Sequence, residues 1–107
     1  GAPAAAEAGR AVPNATTRAT GSLVLALLLC ELGVLENWLG ELAEAEGHLA
    51  AAHELAGSLD LPALAVSATS HLALTQYMRG RERASLETAA RARETLALSP
   101  RLRLPRT

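Results

Sequence analysis

The sequence predicts an all-α fold: two stacked antiparallel helical hairpins, four main helices in all. Two observations carry this. Half of the 107 residues are hydrophobic, yet Trp38 and Tyr77 are the only aromatics and Phe is absent. The core must therefore be built from Ala and Leu, strong helix formers, with few β-branched residues. In addition, one pattern occurs twice, forty residues apart. Leu29-x2-Leu32-Gly33-x6-Gly40 is followed by Ala45, Leu49 and Ala52; Leu72-Ala73-x6-Gly80 is followed by Ser85, Ala89 and Ala92. Each copy sets small residues where two helices would cross and a Gly at the turn between them, as repeated hairpins do.

The elements follow in order. Residues 1–19 are rich in Ala, Gly, Pro and Thr, hold no lasting apolar stripe and read as a flexible arm or linker, with room for a short helix around 4–10. The helical domain spans 20–98, with hairpins at about 20–59 and 62–98. The first helix is expected from Thr20 or Gly21 to Leu39, with Thr20 or Ser22 as its cap. It is apolar on nearly every face through Cys30 and so reads as the most buried helix. Gly40 ends it.

The second helix is expected over 41–59, with the stripe Leu42, Ala45, Leu49, Ala52 and Ala56. Glu41, Glu44 and Glu46 suit the positive end of its dipole. Gly47 is a weak point unless a neighbouring helix packs close there. Ser58 to Pro62 reads as a connector, with Asp60 as cap and Pro62 in the first turn of the third helix. That helix runs to Arg79, with Leu64, Ala68, His71, Leu72 and Thr75 facing inward. Gly80 makes the second turn. The fourth helix, 82–98, mixes Leu86, Ala89, Ala90, Thr95, Leu96 and Leu98 with charges, as a half-exposed terminal helix does. Residues 99–107 read as an extended tail.

Charge is divided along the chain. Seven acidic residues and no Lys or Arg lie between Glu31 and Asp60; eight Arg and three Glu lie from Arg79 onward, for a net charge of −1. The two segments read as solvated helix faces that attract each other across the stack, not as a nucleic-acid surface. Cys30 is the only cysteine, so no intrachain disulfide forms, which fits a reducing cytoplasm. The run Leu23 to Cys30 is too short to span a bilayer and Glu31 closes it, so no membrane association is expected. A chain beginning with Gly is expected to be part of a longer protein.

The chemistry-bearing motifs are few. No Gly-rich loop leads into Lys-Ser/Thr, so no nucleotide is expected to bind that way. His48 and His53 are five apart, off the four-residue spacing that stacks two ligands on one helix face, and His71 stands alone. No cofactor, metal or catalytic group is expected, and Cys30 reads as an inert buried thiol.

The two copies resemble tetratricopeptide-type hairpins. Leu32-Gly33 and Leu72-Ala73 match the large-small pair of the first helix, Gly40 and Gly80 the turn, and Ala45 and Ser85 the small position of the second helix. The repeat is near forty residues, longer than that family's usual length, and the excess reads as the Gly57 to Pro62 connector. Ala89 stands where a large apolar residue is expected. The stretches Gly40-Glu-Leu-Ala-Glu-Ala45, Leu61-Pro-Ala-Leu-Ala65 and His71-Leu-Ala-Leu-Thr-Gln-Tyr-Met-Arg-Gly80 are similar to the helical-repeat region of large actinobacterial LuxR-type regulators related to the maltose-regulon activator.

The resemblance implies a right-handed α-solenoid fragment and a non-catalytic, cytoplasmic interaction or sensor module of a transcriptional regulator. The alternative is a free-standing adaptor that binds a partner peptide. The first helix of each hairpin would line the concave side, placing Leu27, Cys30, Val34, Asn37 and Trp38 beside Ser67, Ser70, Leu74, Tyr77 and Met78. Asn37, Trp38, Leu74, Tyr77 and Met78 are the candidate binding residues, since Trp and Tyr join apolar area to a polar tip. The expected occupant is a protein, a peptide or a small inducer. Nucleic acid is not expected to bind this part, and the two exposed solenoid ends favour self-association.

Overall fold

Four helices carry the described residues, 14–99 of the computed structural model: α1 (Ala15–Leu39), α2 (Leu42–Ser58), α3 (Pro62–Met78) and α4 (Glu82–Leu98). Consecutive helices pack on one another, α1 on α2, α2 on α3 and α3 on α4. A smaller contact joins α1 to α3. The molecule is thus a run of stacked helical hairpins. The tail beyond Ser99 and the arm before Asn14 lie outside the described residues.

The helix starts differ from the sequence expectation at the first element. Asn14 caps α1, its side-chain oxygen accepting the Thr17 N–H at 2.8 Å. Thr20 and Ser22 therefore sit inside the helix, and residues 15–19 of the expected arm are helical. Thr20 turns its hydroxyl back to the Thr16 carbonyl at 3.0 Å.

The three turns share one geometry. Gly40, Asp60 and Gly80 each adopt a left-handed backbone, with φ of 78°, 54° and 79°. At each, the N–H of that residue donates three residues back, to Asn37, Gly57 and Tyr77. The next N–H donates five back, from Glu41 to Glu36, Leu61 to Ala56 and Arg81 to Gln76. This doubled closure satisfies the last carbonyls of each helix. Asp60 is therefore the left-handed residue after α2, not the cap of α3; Leu61 holds the capping position. The connection between α2 and α3 is three residues, the same as between α3 and α4 and one more than between α1 and α2, so the expected long connector at 57–62 is absent.

Helix crossings are set by small residues. A Cβ on Gly33 would lie 2.5 Å from Leu49 Cγ and 2.7 Å from its Cδ2, so α1 and α2 meet there with no room for a side chain. Ala45, Leu49, Ala52 and Ala56 of α2 are fully buried, as their spacing predicts; Leu42 is half-buried. The central cluster is Cys30, Ala45, Leu49, Ala52, Ala68 and Leu72, with Leu29, Ala50 and Leu64 against it. On α3 the buried face is Ala65, Ala68, Thr69, Leu72, Ala73 and Thr75. The expected inward residues Leu64 and His71 are half-buried at its margin.

α1 is not the most buried helix. Only Ala26, Cys30, Gly33 and Glu36 are buried on it, while most of its Leu residues and Val24 are exposed. An apolar helix is covered only where a neighbour reaches it, and α2 and α3 both lie on one side of α1. The whole helix, 25 residues with a mean hydropathy of 1.8 in its most apolar stretch, is long and apolar enough to cross a membrane by length and composition. The run counted only to Cys30 understated it, because the helix stays apolar past Glu31.

Candidate functional cleft at the ends of α1 and α3

The contact between α1 and α3 brings the last turns of the two first helices together. Val34, Asn37 and Trp38 of α1 and His71, Leu74 and Met78 of α3 line one cleft of about 170 Å³. Four of the five sequence-predicted binding residues therefore meet: Asn37, Trp38, Leu74 and Met78. Tyr77 does not line the cleft; it is exposed on the turn of α3 beside it. Trp38 is 85% exposed, so its ring stands at the rim and covers little of the core.

The polar groups of the cleft are held from behind. The Thr75 hydroxyl, fully buried, donates to Asn37 Oδ1 at 2.7 Å and lies 2.9 Å from the His71 carbonyl. Asn37 Nδ2 is buried with no hydrogen-bond partner among the described residues. A buried amide N–H without an acceptor costs roughly 1–3 kcal/mol, so it favours any occupant that brings one. His71 Nδ1 donates to the Ser67 carbonyl at 2.8 Å. In the neutral ring that leaves Nε2 as the acceptor. The cleft thus joins an apolar lining to an imidazole, with the unpaired Asn37 amide buried in its wall.

The other groove positions expected from the sequence are placed differently. Cys30 is buried, with Sγ 4.0 Å from Ser67 Oγ. Burial pushes its thiol pKa up; the Ser67 hydrogen bond pulls it down and Glu31 adds to the rise. Leu27 and Ser70 are exposed outside the cleft.

The remaining histidines are spoken for. His48 Nδ1 pairs with Glu36 Oε1 at 2.6 Å, and His53 Nδ1 lies 2.7 Å from Thr69 Oγ1. The acidic and basic segments meet at Glu46, which accepts Arg79 Nη1 and, at 3.0 Å and 3.2 Å, Arg81 Nη1. Sequence reasoning missed the Glu36–His48 pair and the contribution of His71 to the cleft. The partners are brought together across helices, and no spacing within one helix signals them.

Comparison of the chain with protein-family models, curated proteins and solved structures yields no match.

Proposed function

We propose that this chain is a non-catalytic helical-repeat interaction module that takes an apolar side chain of a protein or peptide partner into the α1–α3 cleft. The observation that carries this reading is the cleft itself. Val34, Trp38, Leu74 and Met78 give it apolar walls, and Asn37 Nδ2, buried without a partner, gives it a donor at one point. A volume of about 170 Å³ is below that of pockets that enclose a whole small ligand, roughly 300 Å³ and upward. It suits one side chain whose adjoining carbonyl meets the Asn37 amide.

Further support comes from the contact between the first helices of the two hairpins and from the repeated turns. Both agree with a short tetratricopeptide-like solenoid. In a LuxR-type regulator such a module would convert occupancy into a signal to neighbouring regions, in the cytoplasm.

Trp38 is the sole tryptophan and stands at the rim, so its fluorescence reports the cleft directly. Short acetylated peptide amides with a central Leu, Met or Phe are the probe. The expected result is a saturable Trp38 emission change, with amide and side-chain shifts at Asn37, Leu74 and Met78. Asn37→Leu should weaken binding more than Glu44→Ala and Glu54→Ala together. Shifts confined to Glu41 through Glu54 would overturn the assignment.

A further inference from the structure

α1 carries a second pattern that its packing on α2 and α3 does not use. Leu25, Leu28, Leu32, Leu35 and Leu39 recur at alternating intervals of three and four residues, and all are between 42% and 72% exposed. That alternation places side chains along one stripe of a helix, the seam by which two helices interlock knobs into holes. Of the residues that fasten α1 to the rest of the molecule, Ala26, Cys30 and Gly33 lie away from this stripe and Glu36 borders it on the side of α2. Val24, also exposed, widens the seam. Glu31 stands at its edge, and no charge interrupts it.

The area and chemistry of the seam select its occupant. The five leucines and Val24 expose roughly 600 Å² of mainly apolar surface, so two copies face to face would cover at most about 1,200 Å², the lower bound of stable specific interfaces. The occupant must bring an apolar stripe of the same spacing. Among the described helices α1 has exposed leucines along most of its length; α3 is free of Asp, Glu, Lys and Arg, but its exposed large apolar side chains, Leu74, Tyr77 and Met78, are confined to its last turns beside the cleft. On α4 the exposed leucines Leu86, Leu96 and Leu98 fall on no single stripe, with Leu96 and Leu98 about 80° and 120° from Leu86 on opposite sides, and Glu87, Arg91, Arg93 and Glu94 lie between Leu86 and the other two in sequence. Seating α1 on α4 of a second copy would bury those charges. A helix lying on a lipid surface takes cations along its polar flank. From residue 19 to 78 the chain has no Lys or Arg.

We propose that two copies of this chain associate through the outward leucine seam of α1, Leu25, Leu28, Leu32, Leu35 and Leu39 interlocking across a two-fold axis. A two-fold contact uses the same patch on both partners and closes, so the assembly stops at two. Val34 and Asn37 of the cleft lie away from the seam and Trp38 borders it, so association is read by sedimentation and occupancy of the cleft by the shifts at Asn37, Leu74 and Met78.

The test is sedimentation equilibrium of the 107-residue chain from low micromolar to sub-millimolar concentration. A monomer–dimer equilibrium is expected. Leu28→Glu with Leu35→Glu puts both carboxylates in water in the monomer, so helical content should be kept while association weakens at least about 100-fold. Leu86→Glu with Leu98→Glu on α4 should leave the dimer unchanged. A second measurement does not depend on charge. Leu32→Cys in a Cys30→Ala background should form an intermolecular disulfide on mild oxidation, and Leu86→Cys in the same background should not. A chain that stays monomeric at sub-millimolar concentration overturns the proposal. So does loss of the dimer in the α4 variant, open-ended growth, or co-sedimentation of the monomer with phosphatidylcholine vesicles.

Discussion

Glu36 and His48 form a pair that the second hairpin repeats with different chemistry. Glu36 Oε1 meets His48 Nδ1 at 2.6 Å; forty residues on, Gln76 Oε1 accepts the Thr88 hydroxyl at 2.6 Å. In each hairpin a residue four before the left-handed turn reaches from the first helix to the middle of the second. The same backbone register thus holds an ionisable pair in one copy and a neutral pair in the other.

The two pairs should respond unequally to truncation. Glu36 is 6% exposed, so His48→Ala strands a buried carboxylate and should cost roughly 1–3 kcal/mol. Thr88→Val strands a neutral amide oxygen and frees the exposed Arg91, which water can serve, and should cost about 1 kcal/mol. Replacing both Glu36 and His48 by Leu should recover most of the first loss. Urea denaturation of the singles and the double measures the coupling; additive losses would show that the pair contributes nothing jointly.

Gly33→Ala should destabilise the fold by roughly 1–3 kcal/mol, because the added methyl would meet Leu49 Cγ at 2.5 Å. Leu49→Ala should be costly alone, by about 2–5 kcal/mol, since Leu49 is fully buried. In the double variant the new methyl occupies vacated space, and the total should fall short of the sum. An unchanged melting temperature in Gly33→Ala would remove the close crossing from the account.

Asp60→Gly should stabilise the chain by about 1 kcal/mol, because the left-handed backbone at φ 54° costs a residue with a Cβ roughly that much. Gly80→Ala should lose a comparable amount. Gly47→Ala is the contrasting case. Gly47 sits in the interior of α2 with nothing within 4 Å of its added Cβ, so the change should gain about 0.5–1 kcal/mol from helix propensity alone. Thermal melts of the three variants check the signs.

Cys30 should react slowly with iodoacetamide in the folded chain at pH 8 and readily once unfolded, because burial raises its pKa and keeps the thiol protonated. The linkage has a definite sign. A folded-state pKa above the unfolded value gives a contribution fully present below the unfolded pKa and lost as pH rises through the folded one. Stability should therefore decline as pH climbs beyond about 9. Cys30→Ala should flatten that decline; an unaltered slope would assign it to other groups.

The legible and illegible parts of the fold divide by physical cause. The turns at Gly40 and Gly80 and the stripe Ala45, Leu49, Ala52, Ala56 could be read because each depends on local backbone preference or on the period of one helix. The burial of α1 could not. Its composition is apolar around the helix, and exposure was decided by which neighbours reach it. Asp60 was misread for a related reason: an Asp two residues before a Pro resembles a cap, and only the shared spacing of the three turns reveals its left-handed role. Of the cleft, Asn37, Trp38, Leu74 and Met78 were expected from the resemblance to tetratricopeptide-type hairpins, whose first helices face the groove. Tyr77 corresponds to Asn37 in sequence, but among the described residues no third first helix lies beside it to form a second cleft.

The left-handed residues at 40, 60 and 80 fall at equal intervals, and each is followed by a helix starting two residues later. From α2 onward one helix with its turn therefore occupies twenty residues, and the chain reverses direction at 40, 60 and 80. Insertions or deletions of twenty would exchange first-helix and second-helix faces downstream and turn Leu74 and Met78 away from α1. Changes of forty would keep every face in phase and shift only the number of layers. A protein built this way changes length in whole hairpins, and each added hairpin would set one more first helix beside the last, opening another cleft next to the one at Trp38.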